Sequence, residues 1–434
     1  MLMAVVLLVS LFVMIILGVP ILYSLGAASL IGRLIQEQAL PYFVFAQKIT
    51  YGLDNFNWVA IPLFLLLGQL MNSIGATDKI FGFAQKLVGH VRGGLAHVNV
   101  LASMIFAGMS GSASADAAGL GKIEIKAMTN AGYGLLYSSA VTAASACLGP
   151  ILPPSIPAIV YATIAGTSVI KIFLAAVVPA IVMMSIMLFM CTYYAKKYNY
   201  PKNERAKIPE IISAGREAFL YLLLPIMMII GMYSGIFTAS EVGAVGCGYA
   251  LILAFLYRNS KSSKNFTIKS LMSDISIAAV DSGIILMLIA MVGVYGWILT
   301  RYRIPVQIFE WVISFTSSPL IILILINIIL LIIGMLMPAS PALLILVPLL
   351  LPIIDGLGID RTVFGVATIL NLTMGGITPP VGNMLVILTR VAGVKYEELA
   401  LELVPWYIPF FITILSLYLF PGIALWLPKL LGFH

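Results

Sequence analysis

Within a long apolar run, the residues Gly149-Pro150-Ile151-Leu152-Pro153-Pro154 forbid a continuous helix. Proline has no N–H and its ring clashes with the preceding turn, so this stretch releases several carbonyls and amides from the helical ladder. Lipid offers those groups no partner. Broken backbone persists at membrane depth only where protein buries it or a watery cavity solvates it, and there the released groups can hold an ion. For one such stretch taken alone, a proline kink in a packing helix is the alternative reading.

The surrounding chain makes a membrane the setting. Of 434 residues, 61% are hydrophobic and 9% charged, with a mean hydropathy of +1.09, whereas a soluble domain carries about 25% charged residues. Apolar runs at 3–30, 170–191, 219–233 and 410–427 approach or exceed the roughly 20 residues that cross hydrocarbon. The alternation of a membrane β-barrel is absent, so the expected fold is an all-α polytopic membrane protein. The first 17 residues lack the basic flank of a signal peptide and read as the start of a span.

Charge sets the topology. Lys196, Lys197, Lys202, Arg205, Lys207 and Arg216 follow one span, and Arg258, Lys261, Lys264 and Lys269 lie two spans later, so both basic loops fall on the cytoplasmic face. The net charge of +7 belongs to these loops rather than to nucleic-acid binding. Crossings are expected near 3–32, 52–74, 133–167, 169–195, 217–236, 240–257, 278–300, 363–389 and 404–428. The N-terminus is then inside and the C-terminus outside. Two apolar segments, 94–121 and 320–356, must return to the side they left and are expected as re-entrant hairpins. Segments 79–92 and 305–316 mix charge and apolarity at helical spacing, as interfacial arms do. The longest polar stretch is too short to bury a soluble core.

An internal repeat supports this layout. The break at 149–154 recurs as Gly375-Gly376-Ile377-Thr378-Pro379-Pro380, an offset of 379 − 153 = 226, and Ala113-Ser114 falls on Ala339-Ser340 at the same offset. The two broken crossings run in opposite directions, so the repeats are inverted. Inverted repeats with broken helices are an architecture of alternating-access transporters.

Candidate site residues cluster at these features. Ser110, Ser112 and Ser114 offer neutral oxygens suited to a hard cation such as sodium, although small residues also permit close helix packing. The counterpart site draws on Ala339, Ser340, Asn371, Thr373, Gly376, Thr378 and Pro379, with carbonyls weighing more than side chains. Asp116 is an acid at membrane depth, either binding cation or substrate or capping the hairpin turn. Glu241 and Asp281 are expected at membrane interfaces. Arg390 reads as a positive-inside anchor or, alternatively, as a carboxylate partner. A hydrolase built on Asp116 needs a second acid at matching depth, and none stands out. Cys147, Cys191 and Cys247 are scattered, His90, His97 and His434 do not cluster, and no phosphate loop or metal motif occurs, so neither ATP hydrolysis nor a transition metal is expected.

Four segments carry a family likeness: LVGHVRGGLAHVNVLASMIFAGMSGSASADAAGLGKIEI from 87, AVTAASACLGPILPPSIPAIVYA from 140, GIFTASEVGAVG from 235 and TMGGITPPVGNML from 373. With them the chain resembles the large membrane subunit of the tripartite ATP-independent periplasmic (TRAP) transporters. The resemblance implies a sodium-driven importer of an organic acid such as sialic acid or a C4-dicarboxylate, not an enzyme, in the bacterial inner membrane. Its partners would be a small four-helix membrane subunit on a separate chain and a periplasmic binding protein; a symporter without a binding protein is the alternative. It implies an elevator, with hairpins and broken helices (94–168 and 320–403) moving against scaffold helices (1–78, 169–304 and 404–434) held by arms (79–93 and 305–319). One sodium would sit at Ser110, Ser112, Ser114, Gly149, Pro150 and Pro153, and another at Ala339, Ser340, Thr373, Gly376, Thr378 and Pro379. Substrate would meet Ser112, Asp116, Pro154, Asn371 and Arg390. Lys126 departs from the family pattern, which has proline there, and puts the local shape after the first hairpin in question.

Overall fold

Gly18 and Pro20 decide the first turn of the chain. Gly18 takes φ +84° and Pro20 caps the next helix, so the expected crossing at 3–32 is instead two short helices, α1 (Leu2–Ile16) and α2 (Ile21–Leu34). They fold back on one another: a Cβ at Gly32 would lie 2.6 Å from Leu7 Cδ2. The Tyr295 hydroxyl donates to the Leu7 carbonyl (3.2 Å). Neither helix, at about 1.5 Å per residue, reaches across a bilayer alone.

This arrangement comes from a computed structural model that describes residues 2–35, 41–202, 204–256, 266–316 and 318–433. Arg258, Lys261 and Lys264 of the second basic loop, and His434, lie outside the described residues. After α2, α3 (Tyr42–Leu53) leads through a 3-10 turn (Phe56–Val59) into α4 (Ala60–Ser73). The first arm is α5 (Ala76–Val88), and α6 (Gly94–Ser110) with α7 (Ala113–Asn130) makes the first hairpin. The first broken crossing is α8 (Leu135–Ala146) and α9 (Ile156–Ala165). Then come α10 (Val169–Lys197), α11 (Ile208–Tyr233), α12 (Ala239–Leu256) and α13 (Ile268–Arg301).

The second half repeats the pattern. The arm is α14 (Ile304–Phe315), the hairpin α15 (Pro319–Leu336) with α16 (Ala339–Gly356), and the broken crossing α17 (Arg361–Gly375) with α18 (Asn383–Ala392). The chain ends with α19 (Tyr396–Leu403), a 3-10 turn (Val404–Tyr407), α20 (Ile408–Leu419) and α21 (Gly422–Leu430). Eight helical stretches among the described residues are long and apolar enough to cross a membrane.

Several boundaries differ from expectation: α11 begins at Ile208 rather than near 217, and α13 at Ile268 rather than near 278. The first hairpin continues to Asn130 rather than 121, because Lys126 leaves α7 unbroken. The last crossing starts near 396 rather than 404, since the 3-10 turn joins α19 to α20. It stops at Leu419, where Phe420 leaves helical space (φ −132°, ψ 71°) and Pro421 follows.

The 226-residue offset holds in three dimensions. The second hairpin arms match at both ends (339 − 113 = 226; 356 − 130 = 226), and the broken crossings start in register (361 − 135 = 226). Packing is reciprocal: α9 lies on α16 while α18 lies on α7, the pattern of a two-fold axis. Cys147 and its counterpart Thr373 meet across that axis (Sγ to carbonyl oxygen, 3.9 Å). Small residues let helices approach, as at Gly334 of α15 and Gly375 of α17, where a Cβ on Gly375 would lie 2.5 Å from the Gly334 carbonyl carbon.

The arms are held differently. α5 packs on α11 and is pinned by Lys79–Glu217 (2.6 Å) and Lys86–Glu210 (2.7 Å). α14 lies on α16, with the Phe309 ring filling the notch left by Gly356.

Candidate functional site

Four interruptions of the backbone meet at one place. The first hairpin tip turns through Gly111 (φ +60°) and extended Ser112. A side chain at Gly111 would strike the Pro154 carbonyl oxygen, and one at Gly149 would meet the Ser112 carbonyl carbon at 3.1 Å. The tip therefore rests on the first break, and glycine is needed on both sides of the contact. Within that break the Ser155 hydroxyl donates to the Pro150 carbonyl and accepts from the Ala158 N–H (3.1 Å), capping α9. The second tip is tied likewise, through the Gly382 N–H to the Met335 carbonyl (3.0 Å). The Met384 N–H closes the second break onto the Gly376 carbonyl (2.9 Å). Both Pro-Pro bonds are cis.

Between these parts lies a cavity of about 550 Å³, within the range of small-molecule sites. The hairpins and broken helices line one side, including Ser110, Ser112, Ser114, Pro150, Ala339, Ser340, Thr373 and Gly376. The first residues of four helices, Ala113, Ile156, Ala339 and Asn383, also line it. Helix N-termini present unpaired N–H groups and a positive dipole end, which suit an anion. Ser112 and Ser114 share a hydrogen bond (2.9 Å), and the buried Ser110 hydroxyl has no hydrogen-bond partner among the described residues. Helices α4 and α13 close the other side through Gln69 and Asp281 among apolar residues. None of the described lining residues is Lys, Arg or His.

Several candidates fall elsewhere. Gly149 and Pro153 support the first tip from behind rather than lining the cavity, as does Pro154. Thr378 donates to the Met374 carbonyl (2.7 Å), holding the second break, and neither it nor Pro379 lines the cavity. Asn371 joins α17 to α15, donating to Asn327 Oδ1 (2.7 Å) and to its carbonyl (3.0 Å). Arg390 sits exposed in the last turn of α18, beyond the lining residue Ile387. Glu241 caps the start of α12, accepting from the Thr238 N–H (2.8 Å).

Asp116 is also outside the cavity. It is buried beside Ser103 and Glu124, and the carboxylate oxygens of both acids have no hydrogen-bond partner among the described residues. Asn99, Thr142, Ser145 and Ser103 continue this polar seam, linked by Asn99–Thr142 (2.7 Å), Ser145–Asn99 (2.7 Å) and Ser103–Ser145 (3.2 Å). A partner acid for Asp116 therefore exists. The pair is shut inside the hairpin packing, not exposed in a cleft where water and substrate meet. The matching positions of the second repeat, 116 + 226 = 342 and 124 + 226 = 350, hold Ala342 and Leu350.

Asp281, Gln69 and Asn383 are cavity residues that sequence reasoning did not select. Asp281 was expected at an interface, yet it stands thirteen residues inside the 34-residue α13. Its signal was spacing: Asp281, Ile284, Ile285 and Leu288 form one helical face. Among the described residues no group of three His, Cys, Asp or Glu is placed to hold a metal.

Comparison with known proteins agrees with this architecture. Residues 8–423 match the family described as Tripartite ATP-independent periplasmic transporter, DctM component. The chain is 38% identical over 413 residues to the sialic acid TRAP transporter large permease protein SiaM of Vibrio cholerae, covering 95% of each. It is 34% identical over 392 residues to the C4-dicarboxylate TRAP transporter large permease protein DctM of Pseudomonas aeruginosa, covering 89% of this chain and 90% of that one. Among solved structures, the YdaH transporter of Alcanivorax borkumensis shares the fold at a TM-score of 0.63 and 15% identity, over 91% of this chain and 90% of that one. A helical membrane protein of inverted repeats, matched along nearly its whole length by transport permeases rather than enzymes, this chain belongs to the TRAP transporter family as its large permease, or DctM, component.

Proposed function

We propose that this permease imports an organic acid, driven by sodium, through the cavity between the two hairpin tips. One observation carries the reading: four helix N-termini line a cavity that offers serine hydroxyls and no described basic side chain. Backbone N–H groups then receive the carboxylate, as half-helices do in carriers with inverted repeats. Sodium is held nearby by Ser110, Ser112, Ser114 and Pro150 in the first repeat, and by Ala339, Ser340, Thr373 and Gly376 in the second. Sodium ordering the tips before substrate arrives couples the two bindings reciprocally.

The hairpins and broken helices move together as the transport domain, against a scaffold that includes α4 and α13, with α5 and α14 as hinged arms. A small four-helix membrane subunit and a periplasmic binding protein complete the assembly in the bacterial inner membrane. With the basic loop after α10 cytoplasmic, the end of α13 and the C-terminus are periplasmic. We read the N-terminus as periplasmic as well, with α1 and α2 folded back on one another, where a single crossing at 3–32 would put it in the cytoplasm.

The test is sodium-dependent uptake in proteoliposomes carrying the assembled transporter. Ser112→Ala and Ser340→Ala lower uptake and shift the sodium dependence to higher concentration. Unchanged sodium dependence in both variants refutes the site.

A further inference from the structure

Asp281 is the one charged side chain among the described residues that line the cavity. It shares a face of α13 with Ile284, Ile285 and Leu288, and the rotation of that helix is set seven residues earlier, where Asp274 Oδ1 accepts from the Ser73 hydroxyl of α4 (2.9 Å). The carboxyl therefore belongs to the wall made by α4 and α13, while the four helix N-termini belong to the hairpins and broken helices. An occupant whose carboxylate lies at those N-termini turns its remaining groups toward Asp281.

A carboxylate accepts hydrogen bonds and gives none. It welcomes hydroxyl and N–H groups and repels a second anion, which rejects a wrong ligand by charge rather than by shape. A cavity of about 550 Å³ also leaves room for an acid larger than four carbons. We propose that Asp281 is a specificity-determining residue, selecting organic monoacids that carry hydroxyl or N–H donors away from their carboxylate and rejecting simple dicarboxylates. The inference rests on the organic-acid reading above.

The experiment measures ligand-induced thermal shifts of the purified full chain in saturating sodium. The hydroxylated monoacids N-acetylneuraminate and gluconate are titrated against the dianions succinate and fumarate. In the wild type the better monoacid binds at least about tenfold more tightly than either dianion, the expected scale for one like-charge contact. Asp281→Asn, which keeps the shape and removes the charge, narrows that ratio to about threefold or less by improving dianion binding. Asp281→Glu keeps the wild-type preference. An unchanged ratio in Asp281→Asn, or a wild type that prefers a dianion, overturns the inference and leaves organic-acid transport standing. A wild type shifted by none of the four acids overturns the organic-acid reading, and the inference with it.

Discussion

Replacing Gly375 by alanine tests how the second half of the site is built. Gly375 ends α17, beside the lining residues Thr373 and Gly376, and faces Gly334 of α15 with no side chain between the two backbones. An added Cβ would lie 2.5, 2.6 and 2.8 Å from the Gly334 carbonyl carbon, the Gly334 Cα and the Met335 nitrogen. All three are backbone atoms, so no side chain can swing aside. Restoring an ordinary contact of 3.4 Å requires α15 and α17 to part by 3.4 − 2.5, about 0.9 Å. Overpacking of this kind costs about 1–3 kcal/mol. The intrinsic gain of alanine over glycine, about 1 kcal/mol in a helix interior, is smaller still at a helix end. The control is Gly283→Ala, where nothing lies within 4 Å and the change is neutral or stabilising by about 0.5–1 kcal/mol. The assay is thermal unfolding of the purified proteins, followed by uptake in proteoliposomes. Gly375→Ala unfolds at lower temperature and loses uptake, because the separation displaces Thr373 and Gly376. If it matches Gly283→Ala in both assays, the two helices are not in backbone contact and the reasoning fails.

Other perturbations separate packing from ligand binding. Asn371→Ala removes both bonds to Asn327 and lowers stability by about 0.6–1.7 kcal/mol, the range for interhelical hydrogen bonds in membranes. Because the side chain lies outside the cavity, sodium titrations of this variant stay at wild-type concentrations; a shifted midpoint refutes its structural role. Arg361 forks onto Asp355 (2.8 and 2.6 Å) and donates to the Ala165 carbonyl (2.8 Å), joining α16, α17 and α9. Arg361→Lys loses the fork, and with both partners 42% exposed the cost is about 0.5–1 kcal/mol, read as a lower unfolding temperature. In a cycle built on Arg361→Ala, which removes the pair outright, adding Asp355→Ala costs little more; full additivity counts against the pair.

Two acids show why a site residue is hard to choose from sequence. Asp116 stands two residues after a serine that lines the cavity, so proximity in the chain suggested a shared role. One helical position is about 100° of rotation, and two positions turn Asp116 away from Ser114 toward Ser103 and Glu124. Asp281 erred in the other direction. With a crossing expected at 278–300 it stands near the helix end, but α13 begins at Ile268 and carries it deep enough to face the hairpin tips.

What the amino-acid order determined alone were the features written in local chemistry. Proline and glycine broke the two crossings at 147–155 and 376–382, small residues made the first hairpin tip, amphipathic spacing made α5 and α14, and repetition at 226 residues announced two halves. Each follows from a residue's own φ, missing donor or hydropathy, which need no distant partner. Only the tertiary structure decided which side chains share the cavity, that α1 and α2 fold back, and that Asp116 meets Glu124 instead of the site. Those outcomes depend on how far each helix is rotated against its neighbours, and contacts between residues remote in the chain, such as Asp274 with Ser73 and Cys147 with Thr373, set that rotation.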